Sequence, residues 1–157
     1  MNNLILQSIE DKDIDLMKIW LNKEYIKKWY NEPEEWLEEI RKRDKEFNFI
    51  HHFIVMDSNK PIGFCQYYDC FYAKEEWYNV NFVNQLFSID YLIGDENYLR
   101  KGYGKAIIEL LTETIKKNEN GKRIIVQPDK ENISSNNALL SAGYVYDEEY
   151  QYYIYNI

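Results

Sequence analysis

The chain has 157 residues, with 19 Lys and Arg against 27 Asp and Glu for a formal net charge of −8, a length suited to one domain over residues 1–157 that buries about two-thirds of its unfolded surface. A composition of 45% hydrophobic and 29% charged residues excludes a disordered chain, and the acidity argues against nucleic acid, which needs a basic face. No run approaches the roughly 20 apolar residues of a membrane span, and the first residues lack a basic region followed by an apolar core, so no membrane partner and a cytoplasmic location are expected.

In chain order, alternation predicts a strand over residues 3–9, and Asp11 is placed to cap a helix running through Trp20, with Ile14, Met17 and Trp20 inward. A second helical piece is expected over residues 24–29. Asn31-Glu32-Pro33-Glu34-Glu35 ends it and starts a third, with acids where the helix dipole favours them. Trp36, Leu37 and Ile40 make its buried stripe, while Glu34, Glu35, Glu38 and Glu39 read as a solvated face and residues 41–46 as a solvated helix end.

Residues 49–56 and 61–70 read as the strands of a hairpin that turns over residues 57–60. Residues 71–86 have no clean period but are too aromatic and acidic for an idle loop. With 15 Tyr and 4 Trp, the aromatic share of 17% exceeds what a core of this size needs and suggests a lined cleft. Cys65 and Cys70 give no disulfide framework. His51 and His52, adjacent on a strand, face opposite ways, which argues against a metal site.

The organising stretch is residues 87–115. Phe87, Ile89, Tyr91 and Ile93 alternate with Ser88, Asp90 and Leu92 as a strand, and Gly94-Asp95-Glu96-Asn97 breaks it. From Tyr103 onward, Ile107, Leu110, Leu111, Thr114 and Ile115 recur at helical spacing. Asn118-Glu119-Asn120-Gly121 ends that helix, with Gly121 suited to a left-handed position. A strand over 123–127 stops at Pro128, and a helix over 132–142, carrying Ile133, Leu139 and Leu140, stops at Gly143. Short strands over 144–147 and 151–156 flank a turn at Asp147-Glu148-Glu149. Because the middle strands follow one another without crossover helices, the fold class is α+β with a mixed sheet, not a doubly wound one.

Arg100-Lys101-Gly102-Tyr103-Gly104 therefore opens a helix, where unpaired N–H groups and the dipole favour an anion and the glycines permit close approach. Arg100, Lys101 and Lys105 add positive charge, so a phosphate-bearing ligand fits; a glycine-containing turn can also bind nothing. Asp90 lies near the loop end of the strand, facing away from Phe87, Ile89 and Tyr91. Glu75 and Glu76 beside Trp77-Tyr78 suit cations held against rings. Asp147, Glu148 and Glu149 either close the other side of a cleft or are solvated turn charges.

The glycine loop after a strand, with Asn132 and Ala142-Gly143-Tyr144 downstream, resembles the acyl-CoA-binding core of the GCN5-related N-acetyltransferase superfamily. The resemblance implies acetyl-CoA as cosubstrate, no metal, and coenzyme contacts from Tyr91, Leu92, Ile93, Arg100, Lys101, Gly102, Tyr103, Gly104, Lys105 and Asn132. Leu99 stands where that family usually has Gln or Arg three residues before the first glycine, which leaves a backbone cradle intact.

Trp29-Tyr30, Pro61-Ile62-Gly63-Phe64 with Gln66 and Tyr68, Trp77-Tyr78, and Ile89-Asp90 look like the aminoglycoside 6'-N-acetyltransferases. That likeness implies Asp90 as the base that deprotonates an attacking amine. It also implies acceptor contacts from Trp29, Tyr30, Tyr68, Glu75, Trp77, Tyr78, Asp90 and Glu148, a small cationic amine as partner, and a monomer or homodimer. A siderophore, polyamine or peptide amine is the alternative acceptor, and a non-catalytic acyl-CoA-binding domain the alternative class. The position at which many relatives carry a proton-donating Tyr is Leu139.

Overall fold

Described over residues 3–157 in a computed structural model, the chain builds a seven-stranded mixed sheet in the order β1-β2-β3-β4-β5-β7-β6, flanked by helices. β1 (Leu4–Ser8), β2 (Ile50–Asp57), β3 (Lys60–Asp69) and β4 (Leu86–Ile93) run antiparallel to one another in that order. A two-residue turn at Ser58 and Asn59 joins β2 to β3, and Ser58 takes the left-handed backbone (φ 55°) that such tight turns require. α5 (Tyr103–Asn118) then carries the chain to β5 (Arg123–Val126), which lies parallel to β4, and β7 (Tyr152–Asn156) and β6 (Val145–Asp147) complete that edge.

Side chains of a strand alternate between faces, and here each face has its own cover. Cys65, Tyr67, Phe87 and Ile89 pack against Ile107, Ile108, Leu111 and Ile115 of α5 and Leu139 of α6 (Ile133–Ser141). On the other face, Ile54, Phe64 and Leu92 meet Met17, Trp20 and Leu21 of α1 (Ile14–Leu21), Ile26 of α2 (Glu24–Lys27), and Leu37 and Ile40 of α3 (Pro33–Arg41). Each fully buried Leu or Ile here contributes about 1.5–3 kcal/mol. These helices cover only the Leu92 end of that face, so Asp90, Gln66, Tyr68 and Ser88 lie beyond them. Among the described residues no helix is long and apolar enough to cross a membrane.

Three local expectations are corrected. Asp11 does not cap α1: a 3₁₀ turn at Asp11–Asp13 precedes the helix, Asp13 accepts from the Glu10 N–H at 2.8 Å, and the Asp11 carboxylate pairs with Arg43 at 2.7 Å. α3 stops at Arg41 and the chain continues as turns, with Arg43 folding back to donate to the Ile40 carbonyl at 2.9 Å; the segment 41–46 is largely solvated, as expected, but is not helix beyond Arg41. Gly121 is not left-handed; it is glycine because a Cβ there would stand 2.9 Å from the Phe87 ring. On α6 only Leu139 is buried, while Ile133 and Leu140 are exposed.

Candidate active site

β4 and β5 pair only at Leu86 with Arg123 and Phe87 with Ile124, after which the two parallel strands part. Ser88, Ile89, Asp90 and Tyr91 line one side of the opening, and Val126, Gln127, Pro128 and Asp129 line the other. Beyond the carboxyl end of a parallel pair no side chain of either strand fills the gap, which is why ligand crevices form there. The resulting cleft has a volume of about 490 Å³, a usual size for a small-molecule site.

Asp90 stands half-buried on this wall. Its carboxyl is pushed up to about 6 by burial, against a hydrogen bond from Gln66 Nε2 at 2.9 Å, with the Glu75 charge adding to the rise. Glu75 accepts from the buried Tyr68 hydroxyl at 2.7 Å, and burial followed by the Asp90 and Glu75 charges holds that phenol protonated. Across the cleft, Glu39 of α3 is pushed up to about 7 by burial and then by Asp90, Glu75 and Glu35. A carboxyl titrating near neutrality can take a proton, and its ionised neighbours favour a cation in the same space. Trp29, Tyr30, Trp36, Phe47, Phe49 and Trp77 supply apolar and aromatic walls.

Of the residues expected to contact an acceptor, Trp29, Tyr30, Tyr68, Glu75, Trp77 and Asp90 do line this cleft. Tyr78 does not: it is buried, and its hydroxyl accepts from the Glu75 N–H at 3.1 Å and donates to the Cys70 carbonyl at 3.0 Å. It braces the loop that presents Glu75, joining that loop to the short helix α4 (Cys70–Ala73). Glu148 is exposed in the β6–β7 turn, where Asp147 Oδ1 accepts from the Glu149 and Tyr150 N–H groups, both at 3.0 Å, and is not part of the cleft wall. Glu39, read from sequence as solvated, is instead a cleft residue; it follows Trp36 by three positions, which puts it on the border of the buried stripe of α3. Ser88, Gln127, Asp129 and Ser135 had no signal in the sequence, because the parting of β4 and β5 alone brings them together.

Of the residues expected to contact the coenzyme, Tyr91 and Asn132 line the cleft. Tyr91 donates from its hydroxyl to Ser135 Oγ at 3.1 Å, and Asn132 caps α6 by accepting from the Ser135 N–H at 3.2 Å. The Leu92 side chain is buried under α1 and α3, and Ile93 packs against the α5 core, so neither side chain enters the opening. Arg100 (φ 58°) and Gly102 (φ 85°) are both left-handed and turn the chain into α5. No side chain caps that helix and no acid lies in its first turn, while Arg100, Lys101 and Lys105 are exposed around it and Tyr103 and Gly104 are half-buried. An uncapped helix start flanked by Arg100, Lys101 and Lys105 fits a phosphate group. Leu139 is wholly buried in the core, so the place of the family tyrosine faces apolar packing here.

Comparison with known proteins agrees with this geometry. The chain is 20% identical over 153 residues to aminoglycoside N(6')-acetyltransferase type 1 of Klebsiella pneumoniae, a match covering 91% of this chain and 74% of that protein. The crystal structure of aminoglycoside acetyltransferase AAC(6')-Ib in complex with coenzyme A and kanamycin superposes with a TM-score of 0.83 at 20% identity, covering 98% of this chain and 94% of that one. Spermidine N-acetyltransferase from Vibrio cholerae in complex with coenzyme A and spermine gives 0.74 at 17% identity, covering 94% and 83%. The family model for the acetyltransferase (GNAT) domain matches residues 10–152. With the parted strands, the uncapped glycine helix start and this match over most of its length, the chain belongs to the GNAT acetyltransferase family.

Proposed function

We propose that the chain transfers the acetyl group of acetyl-CoA to a primary amine of a small polycation in the cytoplasm, with the 6'-amine of an aminoglycoside as the acceptor. The observation that carries this reading is the lining of the cleft: four carboxylates (Glu39, Glu75, Asp90 and Asp129), aromatic walls, and no Lys, Arg or His. Such a lining rejects an anionic or neutral-tailed acceptor and rewards one with several ammonium groups held against rings. The curated relative named above acts on aminoglycosides, which are amino sugars of that chemistry.

Asp90 is the base in this reading. It accepts the proton that the amine loses as its nitrogen bonds to the thioester carbonyl carbon, and a carboxyl poised near 6 is ionised at neutral pH yet basic enough to do so. Glu39, Glu75 and Asp129 hold the remaining ammonium groups. The residues of the α5 start, Arg100, Lys101, Gly102, Tyr103, Gly104 and Lys105, hold the coenzyme phosphates, and Asn132 and Tyr91 flank its arm. A leaving thiol with a pKa of about 8.5 needs little help, so the missing family tyrosine does not bar the reaction.

Thiol release from acetyl-CoA with a panel of kanamycin, spermidine, a peptide N-terminus and a neutral-tailed amine tests the proposal. Turnover is expected with kanamycin and, more weakly, with spermidine. Turnover confined to the peptide or the neutral-tailed amine would overturn the aminoglycoside reading, and coenzyme binding without any turnover would overturn the enzymatic one.

A further inference from the structure

Asp90 ends a line of polar side chains that crosses three strands. Register sets His52 of β2 opposite Gln66 of β3, and Gln66 opposite Asp90 of β4, so the three share one face of the sheet. Gln66 is 2% and His52 5% exposed. Gln66 gives its amide nitrogen to Asp90 Oδ2 at 2.9 Å, and a carboxamide that presents its NH₂ to a carboxylate must turn its oxygen the other way. That oxygen, Oε1, is buried without a partner, and so is His52 Nε2. One orphan is an acceptor; the other is a nitrogen that carries a proton in one neutral tautomer.

We infer that His52 is a positioning residue: its Nε2–H donates to Gln66 Oε1 and thereby fixes the Gln66 amide on Asp90, holding that carboxylate in one orientation and favouring its ionised form. Directly opposed residues of an antiparallel pair stand about 4.5–5.5 Å apart at Cβ, so a half-turn of the imidazole that keeps its plane brings the donor toward the acceptor. Stacking on Phe64, with ring centres 6.1 Å apart, confines the plane of that ring. Burial and then the Arg43 and His51 charges push His52 down to about 4, so it works as a neutral donor where acetyl transfer runs. The groups that face Asp90 are Gln66 and Tyr68 of β3, Tyr30 after α2, Glu39 of α3 and Glu75 after α4; the charges that act on His52 are Arg43 and, from the opposite face of β2, His51. Among the described residues, Gln66 is the side chain that donates to the Asp90 carboxylate, so whatever locks Gln66 tunes Asp90.

The kinetic part of this inference rests on Asp90 being the base; the structural part does not. Both parts are tested on the full chain labelled with ¹³C and ¹⁵N, first without any acceptor. The His52 ring is expected to carry its proton on Nε2 in slow exchange with water, and the Asp90 carboxyl in His52→Phe to titrate about one unit higher than in the parent. His52→Gln, which keeps a side-chain N–H, is expected to recover most of that shift, and the ascending limb of the acetyl-transfer pH profile to move in step. A ring protonated on Nδ1 with a bare Nε2, or an unmoved Asp90 titration in a folded His52→Phe, overturns the inference. Should His52→Phe not fold, the ring tautomer of the parent still decides. Failure of aminoglycosides as acceptors touches neither spectroscopic result, so the two readings fail separately.

Discussion

The Tyr30 hydroxyl holds both backbone groups of Tyr91, accepting from its N–H at 3.1 Å and donating to its carbonyl oxygen. β4 has already left β5 at this point, so the phenol supplies what a neighbouring strand would. Tyr30→Phe keeps the ring edge-on to Trp36, 5.1 Å away, and removes the hydroxyl alone. It is expected to lower stability by about 1–3 kcal/mol, the cost of unpaired buried backbone groups. The check is a lower urea midpoint at unchanged slope.

Asp90→Asn keeps the volume of the side chain and removes the base. A kcat loss of ~10²-fold or more is expected. In the parent the rate is expected to rise with pH through about 6, because burial keeps the carboxyl protonated below that value. That limb is expected to vanish in the variant; a limb that survives would assign the titration to another group, Glu39 first.

The same two acids oppose stability. Folding raises Asp90 from 3.8 to about 6 and Glu39 from 4.5 to about 7, so between those values the folded chain binds more protons than the unfolded one. Stability therefore falls as pH rises across roughly 4 to 7. Asp90→Asn and Glu39→Gln are each expected to melt above the parent at about pH 8, with the gap closing toward about pH 4. Equal melting temperatures across that range would show that the carboxylates are well solvated.

Gly104 separates fold from ligand. A Cβ there would meet the Tyr91 ring at 3.6 Å and the Ala138 methyl at 3.7 Å, both ordinary contacts, so Gly104→Ala is expected to fold at least as well as the parent. If the coenzyme lies against this backbone, calorimetry will show its Kd raised by about tenfold or more, a loss of 1.4 kcal/mol. Gly102→Val also forces a branched residue to φ 85° and is expected to lose stability as well as affinity.

Glu75→Gln removes a charge but leaves an oxygen for the Tyr68 hydroxyl to donate to. KM for a polycationic acceptor is expected to rise several-fold with kcat little changed, the signature of lost uniform binding. Raising salt so that the screening length falls below about 8 Å is expected to weaken the parent more than the variant. Identical salt responses would place Glu75 outside the acceptor's reach.

Local order in the chain was enough for the elements and for two parts of the site. The alternation at Phe87, Ile89, Tyr91 and Ile93, the period from Tyr103 to Ile115 and the glycines between them are nearest-neighbour facts, and they set β4, the loop and α5 where they were expected. The face of Asp90 followed from the same alternation. That Ser88, Gln127, Asp129 and Ser135 line one cleft could not be read this way, because they meet only where β4 and β5 stop pairing. Gly121 shows the same limit: its neighbours suggested a backbone conformation, whereas its requirement is the Phe87 ring lying against it. Sequence by itself determined which residues share a face, since side-chain period is a property of one strand or helix. Tertiary structure alone decided which faces confront each other, and with them the acidity of the cleft and the raised carboxyls of Asp90 and Glu39, because burial and charge coupling depend on distances between segments far apart in the chain.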